Sequence, residues 1–124
     1  MLREEWIPIN ITDALVTSTL NLVQKNESLI ANNLANFETP GFKASSLSFR
    51  GALTSAMAKG PNAVLNVKGT VQPVGGSLRP DGSNVSLTGQ MTALAQNQLL
   101  YQMAVAAYNH QTTDTKIVTE GKAM

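Results

Sequence analysis

His110 is the single imidazole of the chain, and Asp114 follows four residues later, the spacing that puts two side chains on one face of a helix. Such a pair can orient an imidazole for hydrolysis. Hydrolysis also needs a nucleophile, and no serine is framed by glycines here; one His with one Asp is too few ligands for a metal ion. Gly75-Gly76 and Gly82 lack the strand-to-helix setting and the spacing of a phosphate-binding loop, so they read as turn punctuation. With no cysteine there is no thiolate nucleophile, thiolate metal site or disulfide frame. The reading is of a protein that is not an enzyme, with no catalytic residue, cofactor, metal or small-molecule substrate.

What remains is a polar chain of low charge. Charged residues make up 14% of the 124, against about a quarter in an ordinary soluble domain. The polar surface is carried instead by 39 uncharged side chains: 9 Ser, 12 Thr, 11 Asn and 7 Gln. A formal charge of +1 is too small for the phosphate neutralisation on which nucleic-acid binding depends. The first eleven residues hold Glu4, Glu5 and Pro8 and no apolar run of secretory length, so no cleaved signal peptide is expected. Between Gly82 and Thr113 there is no charge at all, which would suit a membrane span by length. Gln90, Gln96, Asn97, Gln98, Gln102, Asn109 and Gln111 argue instead for a soluble helix, because unpaired amides in hydrocarbon are costly.

Two helical segments flank a broken middle. The first is expected to be capped by Thr12 or Asp13 and to run over 12–37, with Leu15, Val16, Leu20, Leu22, Val23, Leu29, Ile30, Leu34 and Phe37 on a wide apolar face. Thr19, Asn26 and Asn33 recur every seven residues within that face. They are either half-exposed residues at a seam edge or buried amides that fix the register of a partner helix. The second helix is expected over 86–118, opening at Ser86 or Thr88. Its seam is read as Met91, Leu94, Gln98, Tyr101, Val105, Tyr108, Thr112 and Thr115, leaving Leu99, Leu100 and Met103 on other faces. A pair of helices cannot bury a helix that is apolar on several faces, so neighbours from other chains are implied. On this reading Leu94→Asp harms pairing within the subunit, whereas Leu100→Asp spares the monomer and blocks association.

The middle, 38–85, carries five Gly and three Pro between Gly60 and Gly82, a density that breaks helices and central strands alike. It is expected to be irregular, with room for short β pieces, and Gly60 to Gly82 within it to contribute little to the inner core and to form outer or axial contacts instead. Lys43, Arg50, Lys59, Lys68 and Arg79, scattered through it, read as solvated loop charges. The fold class is therefore mainly α: one domain over 1–124 with long N- and C-terminal helices packed as a coiled-coil-like pair.

The most specific local sequence is Ala31-Asn32-Asn33-Leu34-Ala35-Asn36-Phe37-Glu38-Thr39-Pro40-Gly41-Phe42-Lys43. Pro40 drives Thr39 out of the α region, and Pro-Gly suits the centre of a type II turn. Asn36 is placed to serve the carbonyls freed at the helix end. Three asparagines in five residues exceed what a helix stop requires.

That stretch, Ile30 to Lys43, resembles the N-terminal signature of bacterial flagellar rod and hook proteins. The Thr-Pro-Gly-Phe-Lys-Ala form, the short chain and the segment from Asn84-Val-Ser-Leu through Met91-Thr-Ala-Leu-Ala-Gln-Asn-Gln-Leu to Tyr101-Gln are most similar to proximal members of the basal-body rod family. The resemblance covers roughly 12–50 and 84–110. It implies a structural subunit of the flagellar rod, exported by the flagellar type III apparatus without a cleaved signal and assembled in the periplasm. It implies partners in further copies of the chain, other rod proteins, the membrane ring and the export-gate adaptor. It also implies that Asn32, Asn33, Asn36, Thr39, Pro40, Gly41 and Phe42 form a structural motif, and that helix faces carrying Leu15, Leu22, Asn26, Leu29, Ile30, Leu34, Met91, Leu94, Gln98, Leu100, Tyr101, Val105 and Tyr108 make helix and subunit contacts. The alternative is a small helical adaptor or export-linked binding module. The chain departs from the family at Ser86 and Gly89, where acidic residues would complete a capping box, so its second helix is expected to start late.

Overall fold

The computed structural model describes residues 10–123, with side chains described to residue 110. Two long helices dominate: α1, Ile11–Ala35, and a C-terminal helix of 37 residues, Leu87–Ala123, about 55 Å long at 1.5 Å per residue. The C-terminal helix runs past residue 118. No helix among the described residues is long and apolar enough to cross a membrane.

The cap of α1 differs from expectation. Asn10, not Thr12 or Asp13, stands outside the helix in extended conformation, and its Oδ1 accepts the amide of Asp13 at 2.7 Å. Asp13 then sits in the first turn, where a negative charge complements the exposed amides. The other end stops at Ala35 rather than Phe37, because Asn36 donates its backbone N–H back to the carbonyls of Asn32 and Asn33 and closes the last turn.

The middle is more ordered than its Gly and Pro content suggests. It holds β1 (Ser45–Ser48), α2 (Arg50–Met57), α3 (Pro61–Leu65) and β2 (Thr70–Pro73), after which the C-terminal helix becomes α4. The Gly60-Pro61 pair starts a helix instead of breaking one. Gly60 takes φ +117°, and Pro61 occupies a first-turn position where the missing N–H costs no hydrogen bond. The strands pair antiparallel, with Ser45 opposite Pro73 and Ser48 opposite Thr70.

These elements move the core. Ala14 and Leu22 of α1 pack with Leu47, Phe49, Leu53, Ala56 and Val64, all from 44–65, in one buried cluster. Val64 is fully buried, so the expectation that Gly60–Gly82 stays out of the core is wrong for α3, although β2 is exposed. The wide apolar face of α1 thus has two partners, α4 on one side and the middle segment on the other.

Candidate functional site

Along α1 and α4 the chain buries amides as well as aliphatic side chains. Asn33 Nδ2 donates to Gln90 Oε1 at 3.0 Å and to the carbonyl of Ser45 at 2.7 Å, while its Oδ1 accepts the Ser45 N–H at 3.1 Å. Seven residues earlier, Asn26 Nδ2 donates to Asn97 Oδ1 at 3.0 Å and Asn26 Oδ1 accepts the Leu47 N–H at 3.3 Å. Asn97 Nδ2 donates to the carbonyl of Val23 at 3.0 Å. One heptad down α1 faces one heptad up α4, so the helices are antiparallel, and Thr19 and Ala104 are the next positions in that register. Asn33 and Asn97 are each 1% exposed, and these are the side chains that a shifted register would leave unpaired.

Asn26 and Asn33 also hold the strand. Ser45 and Leu47 lie two apart on β1 and turn the same backbone edge toward α1, where Asn33 and Asn26 take the place of a third strand. The helix pair, the strand and the apolar cluster beneath Leu47 are therefore one connected unit.

The end of α1 is built by the motif residues. Asn36 Nδ2 donates to the Asn32 carbonyl at 2.8 Å and to Asn32 Oδ1 at 3.3 Å, and Asn36 Oδ1 accepts from Thr39 Oγ1 at 3.0 Å. Thr39-Pro40-Gly41-Phe42 is a type II turn: the Phe42 N–H reaches the Thr39 carbonyl at 3.2 Å, and Gly41 has φ +74°. A second turn, Arg79-Pro80-Asp81-Gly82, abuts it, with Gly41 N–H on the Asp81 carbonyl at 2.8 Å. A Cβ on Gly82 would stand 3.4 Å from Gly41 Cα, so two glycines meet where the turns touch. Lys43 Nζ bridges both by donating to the carbonyls of Gly82, at 2.6 Å, and Gly41, at 3.2 Å. Gly41→Val is expected to cost about 1 kcal/mol or more, since a β-branched residue is strained at this φ. A urea titration of the unassembled protein checks it; an unchanged midpoint would show that the turn tolerates a side chain.

Arg79 is not a solvated loop charge. Its guanidinium lies 4.4 Å from the centre of the Phe37 ring, donates to the Phe37 and Val85 carbonyls, and stands 3.9 Å from Asp81 Oδ2. It joins the end of α1 to the approach to α4. Asn84 does similar work: its Oδ1 accepts the Ala44 N–H at 2.8 Å and its Nδ2 donates to the Val74 carbonyl at 2.6 Å. Nothing in the spacing of Arg79 singled it out. Gln90 and Asn97 did carry a signal, being seven apart like Asn26 and Asn33.

The intramolecular seam of α4 is set one residue earlier than expected. Gln90, Asn97 and Ala104 are buried, whereas Met91 and Gln98 are exposed and Val105 only half-buried. Leu94 lies half-buried beside the seam; Tyr101 and Tyr108 face outward. Leu100 corrects a second expectation. It packs on the apolar cluster with Leu15 and Leu29, because the middle segment covers that flank, so Leu100→Asp would harm the monomer. Leu22 and Ile30 are buried and Leu34 half-buried. Ser86 Oγ accepts the Gly89 N–H at 3.0 Å, so α4 starts at Leu87 without a capping glutamate and does not start late. Among the described residues no three His, Asp or Glu side chains converge on a metal position. The His110/Asp114 pairing falls outside the described side chains.

The family model "Flagella basal body rod protein" matches residues 16–43, which carry most of α1 and its exit turn. The chain is 29% identical over 111 residues to flagellar basal body rod protein FlgB of Escherichia coli, covering 74% of this chain and 80% of that protein. It is 28% identical over 115 residues to the Bacillus subtilis FlgB, covering 84% and 89%, and 26% identical over 119 residues to that of Borreliella burgdorferi, covering 80% and 88%. The two turns and the amide-locked helix pair thus belong to a chain that is similar, over most of its length, to flagellar basal body rod proteins named FlgB.

Proposed function

We propose that this chain is a subunit of the proximal part of the flagellar rod, joined to further copies and to other rod proteins so that torque passes between subunits. The observation that carries the reading is an apolar stripe on α4 that the fold leaves open. Met91 is 56% exposed, Tyr101 46% and Tyr108 55%, on a helix without a charge from its start to Thr113. Such a stripe marks a surface made for association. The interface thus uses Met91, Gln98, Tyr101 and Tyr108, next to a seam whose amides hold the two helices of each subunit in fixed register. A rod that transmits torque needs subunits that do not shear internally, which the Asn26–Asn97 and Asn33–Gln90 pairs provide. Export without a cleaved signal, a periplasmic position, and contact with the membrane ring and the export-gate adaptor follow from the same reading.

Light scattering and circular dichroism on dilute and concentrated protein test it. A rod subunit gains mass and helix together as concentration rises. A chain that stays monomeric and unchanged at high concentration would favour the small adaptor instead.

A further inference from the structure

Of the five methionines in the chain, Met57, Met91 and Met103 have described side chains, and none of the three lies in the buried core. They are 44%, 56% and 58% exposed, and in a chain without cysteine they are the described sulfurs open to an oxidant. Met91 differs from the other two in its neighbours. Leu87, four residues before it, and Leu94, three after it, share its face of α4. Leu87 is exposed and Leu94 half-buried, so Met91 stands between two leucines at the most apolar end of the open stripe. Further along, the exposed members Gln98, Tyr101 and Tyr108 each carry a polar group. Met103 follows Met91 by twelve residues, which turns it about 120° around a helix of 3.6 residues per turn, to the side of Leu99. Met57 ends α2.

We propose that Met91 is a redox-sensitive modification site: a peroxide oxidises its thioether to the sulfoxide in the unassembled chain, and the sulfoxide blocks association. The inference rests on the reading of the stripe as a subunit contact. In the reaction the sulfur lone pair attacks one peroxide oxygen, the O–O bond breaks, the S–O bond forms, and hydrogen peroxide leaves as water; the sulfur loses two electrons and the peroxide gains them. A dithiol reverses the step through a methionine sulfoxide reductase, removing the oxygen as water and becoming a disulfide. The sulfoxide oxygen is a strong hydrogen-bond acceptor. On the free chain it stands in water, because Met91 is exposed, so the fold of the subunit is indifferent to it. Association would carry the same oxygen from water to the apolar end of the contact, between Leu87 and Leu94, where it loses its partner. The cost therefore falls on assembly alone. Once the contact has formed it covers the sulfur, so the site is sensitive before incorporation and protected after it.

The test treats the dilute full chain with hydrogen peroxide and locates the added oxygen by peptide mass spectrometry. Circular dichroism should be unchanged, while the concentration needed for association, read by light scattering, should rise about ten-fold or more, since a polar group replaces an apolar one at every contact. Methionine sulfoxide reductases with a dithiol should restore the original concentration. Met91→Leu should associate as the unaltered chain does and should ignore peroxide, although Met57 and Met103 are still oxidised in it. A chain that carries the Met91 sulfoxide and associates as readily as the untreated one would overturn this inference alone. So would a Met91→Leu chain as sensitive to peroxide as the unaltered one, because the effect would then lie at another residue. Failure of the untreated chain to associate at any concentration would overturn the rod reading and this inference with it.

Discussion

Asn33→Leu is expected to destabilise the unassembled protein by about 3 kcal/mol or more, the largest loss expected of any single amide substitution among the described residues. The side chain is 1% exposed and makes three hydrogen bonds. Leucine has similar bulk but strands the Ser45 N–H, the Ser45 carbonyl and the Gln90 amide at once, and each buried orphan costs about 1–3 kcal/mol. A domain of this size has only about 5–15 kcal/mol of total stability, so the variant would be partly unfolded or close to it. The midpoint of urea unfolding measures the loss. Gln90→Leu alone should cost less, because Asn33 keeps both contacts to Ser45. The double variant Asn33→Leu/Gln90→Leu should be less destabilised than the sum of the two, since it removes the orphan each single change creates. A midpoint for Asn33→Leu equal to that of the unaltered chain would show that the amide does not lock the helices.

The second large effect should spare the monomer. Tyr101→Asp and Met91→Asp alter exposed positions beside the seam, so the unassembled protein should keep its circular dichroism and lose no more than about 0.5 kcal/mol. In the rod the same carboxylate would be buried without a partner, a cost of several kcal/mol by order of magnitude, repeated at every subunit contact. Swimming of a strain dependent on the variant should be abolished while the protein is still exported. Leu100→Asp is the contrast: it strikes the apolar cluster, so its defect should already appear in the unassembled chain. Normal motility with Tyr101→Asp and with Met91→Asp would show that the stripe faces solvent in the rod.

The sequence by itself determined the helical ends of this protein and the chemistry of its exit turn. Helical periodicity is a local property, and so is the pairing of Pro40 with a glycine free to take positive φ; both are legible from residue types in order. Seven-residue recurrence likewise marked Asn26 and Asn33 as special. What those amides bond to was not local: Ser45, Leu47, Gln90 and Asn97 are brought to them only by the packing of β1 and α4. The face of α4 turned inward was also decided by tertiary structure. Met91, Tyr101 and Tyr108 are more apolar than Gln90 and Asn97, so a hydrophobic count chooses the wrong seam; hydrogen bonding reverses the choice, because a buried amide with a partner outranks a tyrosine without a pocket. Gly60-Pro61 reads as an interruption until Val64 has a core to enter, and only then does the proline become the first turn of α3. Arg79, one loop cation among several in the chain, acquires its role when the Phe37 ring and two carbonyls meet around it, a convergence that no spacing within the sequence encodes.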